Sequence, residues 1–254
     1  MKVTFLGTGT SQGVPVIACP CEVCTSPDEK DKRLRTSALI EFEGHQVVID
    51  AGPDFRTQML RENVKTLDAI LLTHAHKDHT AGLDDIRAFN YFQKKPMDVY
   101  ATSKVQDALH VEYHYAFDKK ADYPGIPRIN FKTVDSRSFF VKSLEVVPVE
   151  VFHFKLPVLG YRFGGFTYIT DANLIHEKEK EKIKGTRILV LNALRKEKHI
   201  SHFSLEEAIS LAKEIGAEKT YLTHISHQLG LHNETSASLP PGIYLAYDGL
   251  KLEL

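Results

Sequence analysis

A chain of 254 residues with 43% apolar content is long enough to bury one large core. Its formal net charge is −1 and it carries no lysine- or arginine-rich block, so a broad nucleic-acid groove gets little support. The apolar runs are strand-sized, which argues against a membrane span, and the three cysteines, all between Cys19 and Cys24, make a poor disulfide framework and point to the cytoplasm.

Lys2–Leu6 reads as a strand, too short and too soon broken by Gly7 for a secretory signal. It runs into the glycine-rich loop Gly7–Gly13, which lacks the Gly-Lys-Ser/Thr ending of a nucleotide P-loop and reads as a tight turn near a site mouth. A polar, cysteine-bearing excursion follows to about Arg35. Ser37–Phe42 and Gln46–Asp50 read as a hairpin around Glu43-Gly44, Asp54–Asn63 as a helix, and Ala69–Leu72 as a short buried strand. Val99–Ala101 is a strand and Ser103–Glu112 a helix. The segment 113–128, rich in aromatic and charged residues, is expected to form a lid. Leu144–Val151, Gly160–Phe163, Phe166–Thr170, Arg187–Leu191 and Lys219–Leu222 are strand-like. The clearest helix is Ser204–Ile215, with Ser204 and Glu207 as a capping box and Gly216 as the stop. Ile243–Leu245 is expected to pair with Leu250–Leu252 through Asp248-Gly249. With no internal repeat and no linker, residues 1–254 read as one domain, two layers of sheet flanked by helices.

The segment Ile70-Leu71-Leu72-Thr73-His74-Ala75-His76-Lys77-Asp78-His79 carries the chemistry. An apolar strand delivers four ligand-type side chains at its end. His74 and His76 are two apart and point the same way from an extended chain, while Asp78 and His79 sit where the backbone turns towards a helix. Such a strip can feed two metal ions, unlike the helical His-Glu-x-x-His arrangement that serves one. Thirteen histidines are spread over the chain, so three with an aspartate in so short a strip are not a chance grouping.

His-x-His-x-Asp-His after an apolar strand resembles the signature of the metallo-β-lactamase superfamily. The resemblance implies an α/β fold, the αββα sandwich of two mixed β-sheets flanked by helices, and further ligands at the ends of later strands. His153, Asp171 and His224 stand at such ends. By resemblance, His74, His76 and His153 hold one divalent ion, Asp78, His79 and His224 hold a second, and Asp171 bridges the two. The ions are zinc or manganese, with iron and nickel also suited to such ligands. Asp50 is expected to orient a ligand histidine, although a plain turn aspartate reads almost as well.

Cys19-Pro-Cys21-Glu-Val-Cys24 offers three thiolates to a structural zinc, which needs a fourth ligand from elsewhere; inert thiols on a loop are the bland alternative. Within the superfamily this arrangement resembles the PhnP-like subgroup of cyclic-phosphate phosphodiesterases, in which such a trio shares a zinc with a histidine. His227, three residues beyond His224, would be that histidine, closing a zinc-binding loop at about 19–35 that otherwise lacks a core. Leu6–Pro15, Asp50-Ala51-Gly52-Pro53-Asp54 and Ser201–Glu207 share the resemblance. By it, His202 would contact the substrate phosphate or protonate the leaving group, so the candidate catalytic residues are His202 and the ligand Asp78. His45, His110, His114, His176, His199 and His232 show no partner pattern and read as surface residues.

Two divalent ions, two aspartates and a bridging hydroxide would leave about one positive charge, which suits an anionic substrate, and a bound water can have its pKa lowered to about 7. The expected activity is hydrolysis of a small phosphodiester by that hydroxide, with a cyclic ribose phosphate as the subgroup's suggestion and a homodimer as its suggested state. Rival readings are a tRNA-processing endonuclease, for which no basic substrate-holding arm is found, a thioester or lactone hydrolase, and a non-catalytic metal-binding member of the fold.

Overall fold

Strands that are apolar on both sides need cover on both faces, and this chain meets the demand with four layers. The computed structural model describes residues 1–118 and 125–254. Strands β1 (Lys2–Gly7), β2 (Ser37–Phe42), β3 (His45–Ile49), β4 (Ala69–Leu71), β5 (Met97–Ala101) and β6 (Ile129–Thr133) come first in the chain. They are followed by β7 (Phe139–Val141), β8 (Leu144–His153), β9 (Leu156–Phe163), β10 (Phe166–Tyr168), β11 (Ile188–Asn192), β12 (Lys219–Thr223), β13 (Ile243–Leu245) and β14 (Lys251–Glu253). One sheet has the order β14-β1-β2-β3-β4-β5-β6 and the other β13-β12-β11-β10-β9-β8-β7. Both are mixed: β3 to β6 run parallel in the first, and β10 to β13 in the second.

Side-chain alternation along each strand sorts the residues into layers. Val47, Ile49 and Leu71 face the space between the sheets, where they meet Tyr161, Tyr168 and Val190. Val48 and Ile70 face outward and pack with Phe55, Met59 and Leu109 of the helices Phe55–Arg61 and Ser103–Glu112. On the far side Leu189 and Leu191 pack against Ala208, Leu211 and Ala212 of the helix Leu205–Ile215, which starts with the expected capping box at Ser204 and ends at Gly216 in the left-handed region. The fold is the αββα sandwich.

One pairing differs from expectation. Ile243–Leu245 and Leu250–Leu252 do not form a hairpin: β13 pairs with β12 in one sheet, and β14 with β1 in the other. Each sheet edge offers an open ladder, and the Asp-Gly turn is used instead to cross between sheets, with the Asp248 carboxylate accepting from the Thr8 hydroxyl and the Leu34 amide. The charged run Glu177–Ile183 is helical although it lacks an apolar stripe; only Ile183 and Glu179 are buried, and Glu179 accepts the Glu150 amide of β8. The expected lid, 113–128, falls partly outside the described residues. Within its described part Tyr113 is buried and donates to the Thr80 carbonyl, just past His79, at 2.8 Å.

Strands β3, β4, β8, β10 and β12 end on a common edge, and the chain must turn there within a residue or two. The loop after β3 and the turn after β4 are clasped: Ala51 donates to the His79 carbonyl and Gly82 to that of Ala51, each at 2.8 Å. A Cβ on Gly52 would stand 1.9 Å from the Asp78 carbonyl oxygen, so only glycine admits this approach.

Candidate metal centres

At the end of β4 the chain delivers Thr73 and His74 onto the loop that ends β3. The Thr73 amide donates to Asp50 Oδ1 (2.8 Å) and its hydroxyl to Oδ2 (2.9 Å), while His79 Nδ1 lies 2.6 Å from that same Oδ2. With three donors converging on a fully buried carboxylate, His79 carries a proton on Nδ1 and turns Nε2 inward. Because the Thr73 hydroxyl donates its hydrogen bond to Asp50, it accepts from His74 Nδ1 at 2.9 Å; His153 Nδ1, facing the Ser201 carbonyl at 2.9 Å, can only donate. All three imidazoles are thus held from behind through Nδ1, the arrangement that orients Nε2 for a metal.

Asp78, His79, Asp171 and His224 present ligand atoms that all lie within 4.8 Å of one another, and His153, Asp171 and His202 do the same. Asp171 belongs to both groups. His74 and His76 stand beside them: His74 Nε2 is 3.0 Å from His76 Nδ1 and 3.9 Å from Asp171 Oδ2. His202 thus joins the tight group around His153, and the two strip histidines flank it, their ring centres 5.8 Å (His74) and 5.2 Å (His76) from that of His153.

Two of these nitrogens, His79 Nε2 and His224 Nδ1, are buried without a hydrogen-bond partner. Yet they lie 3.1 Å from Asp78 Oδ2 and 3.0 Å from Asp171 Oδ1, close to carboxylates but not aimed at them. Buried polar atoms without partners are rare, and here they converge with carboxylates on one point, a donor set that fits a divalent cation. The charge states agree. Burial opposes ionisation of Asp171, but His224, His79 and His202 hold its carboxyl well below the usual range. Burial lowers His74 and His153, and takes His224 down to about 4, so these rings are neutral. Burial pushes His79 down as well, but Asp171, Asp50 and Asp78 outweigh it and hold it well above its ordinary value. The cluster calls for positive charge, and a metal ion could take the place of the His79 proton.

Asp50, Asp171 and His224 all take left-handed backbone angles, with φ of 61°, 54° and 55°. Aspartate and histidine tolerate this region better than most residues, and at these three strand ends it turns the chain towards the site.

His202 Nε2 lies 3.3 Å from Asp171 Oδ2, and its Nδ1 is 3.1 Å from both the Ser201 hydroxyl and His199 Nδ1. His199 is therefore not the partnerless surface histidine expected; a pair three residues apart in a loop has no periodicity to betray it. His232 also departs from expectation. It is only 5% exposed, its Nδ1 lies 3.0 Å from Arg33 Nη2, and its amide donates to Asp31 at 2.7 Å. Arg33, 4% exposed, also donates to the Thr8 hydroxyl and the Ala246 carbonyl. The cysteine-bearing loop is thus anchored by a buried polar network as well.

At the second centre Cys19 and Cys21 Sγ each lie 3.3 Å from His227 Nδ1, and Cys24 Sγ lies 3.5 Å from it. These four ligand atoms lie within 4.8 Å of one another. Three sulfurs and one imidazole fit the closed tetrahedral demand of zinc. The Cys24 amide, followed by His227, lowers the Cys21 thiol to about 6, while burial pushes the Cys24 thiol up to about 11, so without a metal the thiolate stands first on Cys21.

A mixed αββα sandwich with a histidine–aspartate strip at its strand ends defines a metallo-β-lactamase-type protein, and the sequence matches the beta-lactamase superfamily domain over residues 45–225. The chain belongs to the metallo-β-lactamase superfamily. It is similar to a crystal structure described as a new diphosphatase from the PhnP family, with 41% identity, 100% of this chain and 97% of the other covered, and a TM-score of 0.93. It is 42% identical over 254 residues to an octanoyltransferase of Porphyromonas gingivalis, covering 99% of this chain and 51% of that protein. A ribonuclease Z of Methanococcus maripaludis is 30% identical over 172 residues, 64% of this chain and 48% of that one. The chain thus spans about half the length of these curated relatives. No helix among the described residues is long and apolar enough to cross a membrane.

Proposed function

We propose that this chain is a metal-dependent hydrolase that cleaves a P–O bond in a small phosphodiester. Asp171 carries the reading: one buried carboxylate shared by two groups of ligand-type side chains, within 3.3 Å of His202 Nε2. Two divalent ions would be held by His74, His76 and His153 on one side and Asp78, His79 and His224 on the other, with Asp171 between. When bound, such ions supply a nucleophile at neutral pH and neutralise phosphoryl charge. The chain's own part is to orient and to move a proton. Asp50 and Thr73 fix the rings of His79 and His74, and Ser201 fixes that of His153. His202, turned to the site through Nε2 and backed by Ser201 and His199 at Nδ1, delivers a proton to the departing oxygen.

The similarity to a PhnP-family diphosphatase supports P–O chemistry and brings phosphoric anhydrides into the substrate class. The octanoyltransferase is matched over only half its length, and no observation at this site favours acyl transfer. The cysteine trio and His227 are proposed to hold a structural zinc. Elemental analysis of the purified protein, run beside a panel of linear, cyclic and anhydride phosphoesters, tests the reading. The expected outcome is about three metal ions per chain and turnover of at least one ester. A fully loaded protein that hydrolyses none of them would refute it.

A further inference from the structure

A cavity of about 620 Å³ opens against the His74–His76 strip, on the side away from the cysteine loop. It lies between the first turn of the Ser103–Glu112 helix, the loop that follows β6, and the start of β9. His74 and His76 form part of its wall, so the space is within reach of an arm of a substrate whose phosphorus sits at the proposed metal centre. The wall is chiefly apolar where it meets the strip, with Ala75, Val105, Val134, Leu156, Pro157 and Leu159. Leu156 is 39% exposed there.

The charged groups on the wall decide which kind of arm fits. Asp135 and Glu150 are carboxylates, and Lys104 is the one lining cation among the described residues. The helix end adds a partial positive charge, but the Thr102 side chain already accepts from the Val105 amide, one of the free donors there. Asp135 is ion-paired with Arg137 at 2.6 Å, so Lys104 and Glu150 balance and the wall offers no net positive charge to hold a second phosphate or a carboxylate. An apolar ring would instead cover the exposed Leu156 and Pro157, and the hydroxyls of Thr102, Ser103 and Ser136 offer hydrogen bonds to a neutral polar edge.

Resting on the hydrolase reading, we infer that this cavity is a substrate subsite for an uncharged, ring-bearing arm of about nucleoside size. The preferred substrates are phosphoesters with one such arm, in preference to esters whose second arm is itself phosphorylated.

Calorimetric titration of the zinc-loaded protein with phenylphosphonate and with methylphosphonate tests this without relying on turnover. The phenyl compound should bind about tenfold more tightly or better, from the burial of one ring. Ser103→Trp and Ser136→Trp, at exposed positions on two walls, should bring the ratio of the two affinities towards one, with zinc content measured alongside. Equal affinity for the two phosphonates in the unmodified protein would overturn the inference, as would a phenyl advantage that survives in both variants. A protein that binds phenylphosphonate preferentially yet hydrolyses no phosphoester would refute the proposed function and leave the subsite standing.

Discussion

Asp171 is where most of the site's interactions meet, and its removal is the most direct test of the centre. Asp171→Ala deletes the carboxylate that both ligand groups share and leaves His79 and His224 with one acid fewer. Turnover should fall by about a thousandfold or more while the far-ultraviolet circular dichroism is kept, because the carboxylate serves the site and the sheet ladders do not use it. Ordinary hydrolysis of bis(p-nitrophenyl) phosphate by this variant would contradict the assignment. His199 acts one step further out. It touches His202 and not the candidate ligands, so it is a positioning residue, and its loss should depend on the leaving group. His199→Ala should lower kcat about tenfold on esters with a poor alkoxide leaving group and much less on p-nitrophenyl esters, whose departing phenolate needs little protonation. His199→Asn, which can still bond to His202 Nδ1, should recover part of the difference. An equal loss on both kinds of ester would mean that His199 serves only packing.

Among the elements, the loop from Cys19 to about Arg35 departs most from regular structure. It pairs with the rest of the fold through isolated bridges, such as Gly9 with Arg35 and Val14 with Arg33, and through the cysteine–His227 cluster. His227 opens a short 3-10 turn (His227–Leu229) three residues after His224, and the Gly9 bridge reaches Ile225 directly after that histidine. A metal at the cysteines would therefore tie the loop to the strand end that presents a candidate ligand of the first centre. Cys21→Ser should remove about one zinc per chain and lower the melting temperature by several degrees, as expected when about 1–2 kcal/mol is lost. Zinc content identical to the parent protein would show that the thiols hold no metal.

For the molecule as a whole, what could be read in advance was what is local or periodic. The His74–His79 strip is contiguous, and the capping box of the Leu205–Ile215 helix lies within four residues, so both are visible in one dimension. His153, Asp171 and His224 are single residues, made conspicuous only by standing after apolar runs. The β13–β14 misreading has the opposite cause: an Asp-Gly turn is a local hairpin signal, but which edge a strand joins is decided by the two sheets together. His232 and Arg33 could not be paired from sequence at all, since 199 positions separate them and neither belongs to a motif.

That pair nevertheless joins the cysteine loop, the Thr8 loop, the crossing at Ala246 and the helix His232–Ser238, and it leaves a signature in acid. Burial, together with the nearby charges of Arg33 and Lys30, lowers the His232 imidazole to about 4 from an ordinary 6.5. In the folded chain it stays neutral down to about pH 4, whereas in the unfolded chain it takes up a proton near pH 6.5. Between those values the unfolded state binds more protons, so the stability tied to neutral His232 is fully present above pH 6.5 and is lost as the pH falls towards 4. Each pH unit in that window removes about 1.4 kcal/mol, or about 3 kcal/mol across it. His232→Gln keeps a hydrogen-bonding side chain beside Arg33 but cannot titrate. Urea denaturation at pH 7 and pH 4.5 should therefore find the parent protein's advantage over this variant smaller by about 2–3 kcal/mol at the lower pH, and reversed if glutamine fits the site well. Carboxylates and cysteine ligands titrate alike in both proteins and cancel in the comparison. A gap that does not change with pH would mean that His232 titrates alike in the folded and unfolded chains, with Asp31 and Asp28 then offsetting burial and the repulsion from Arg33 and Lys30.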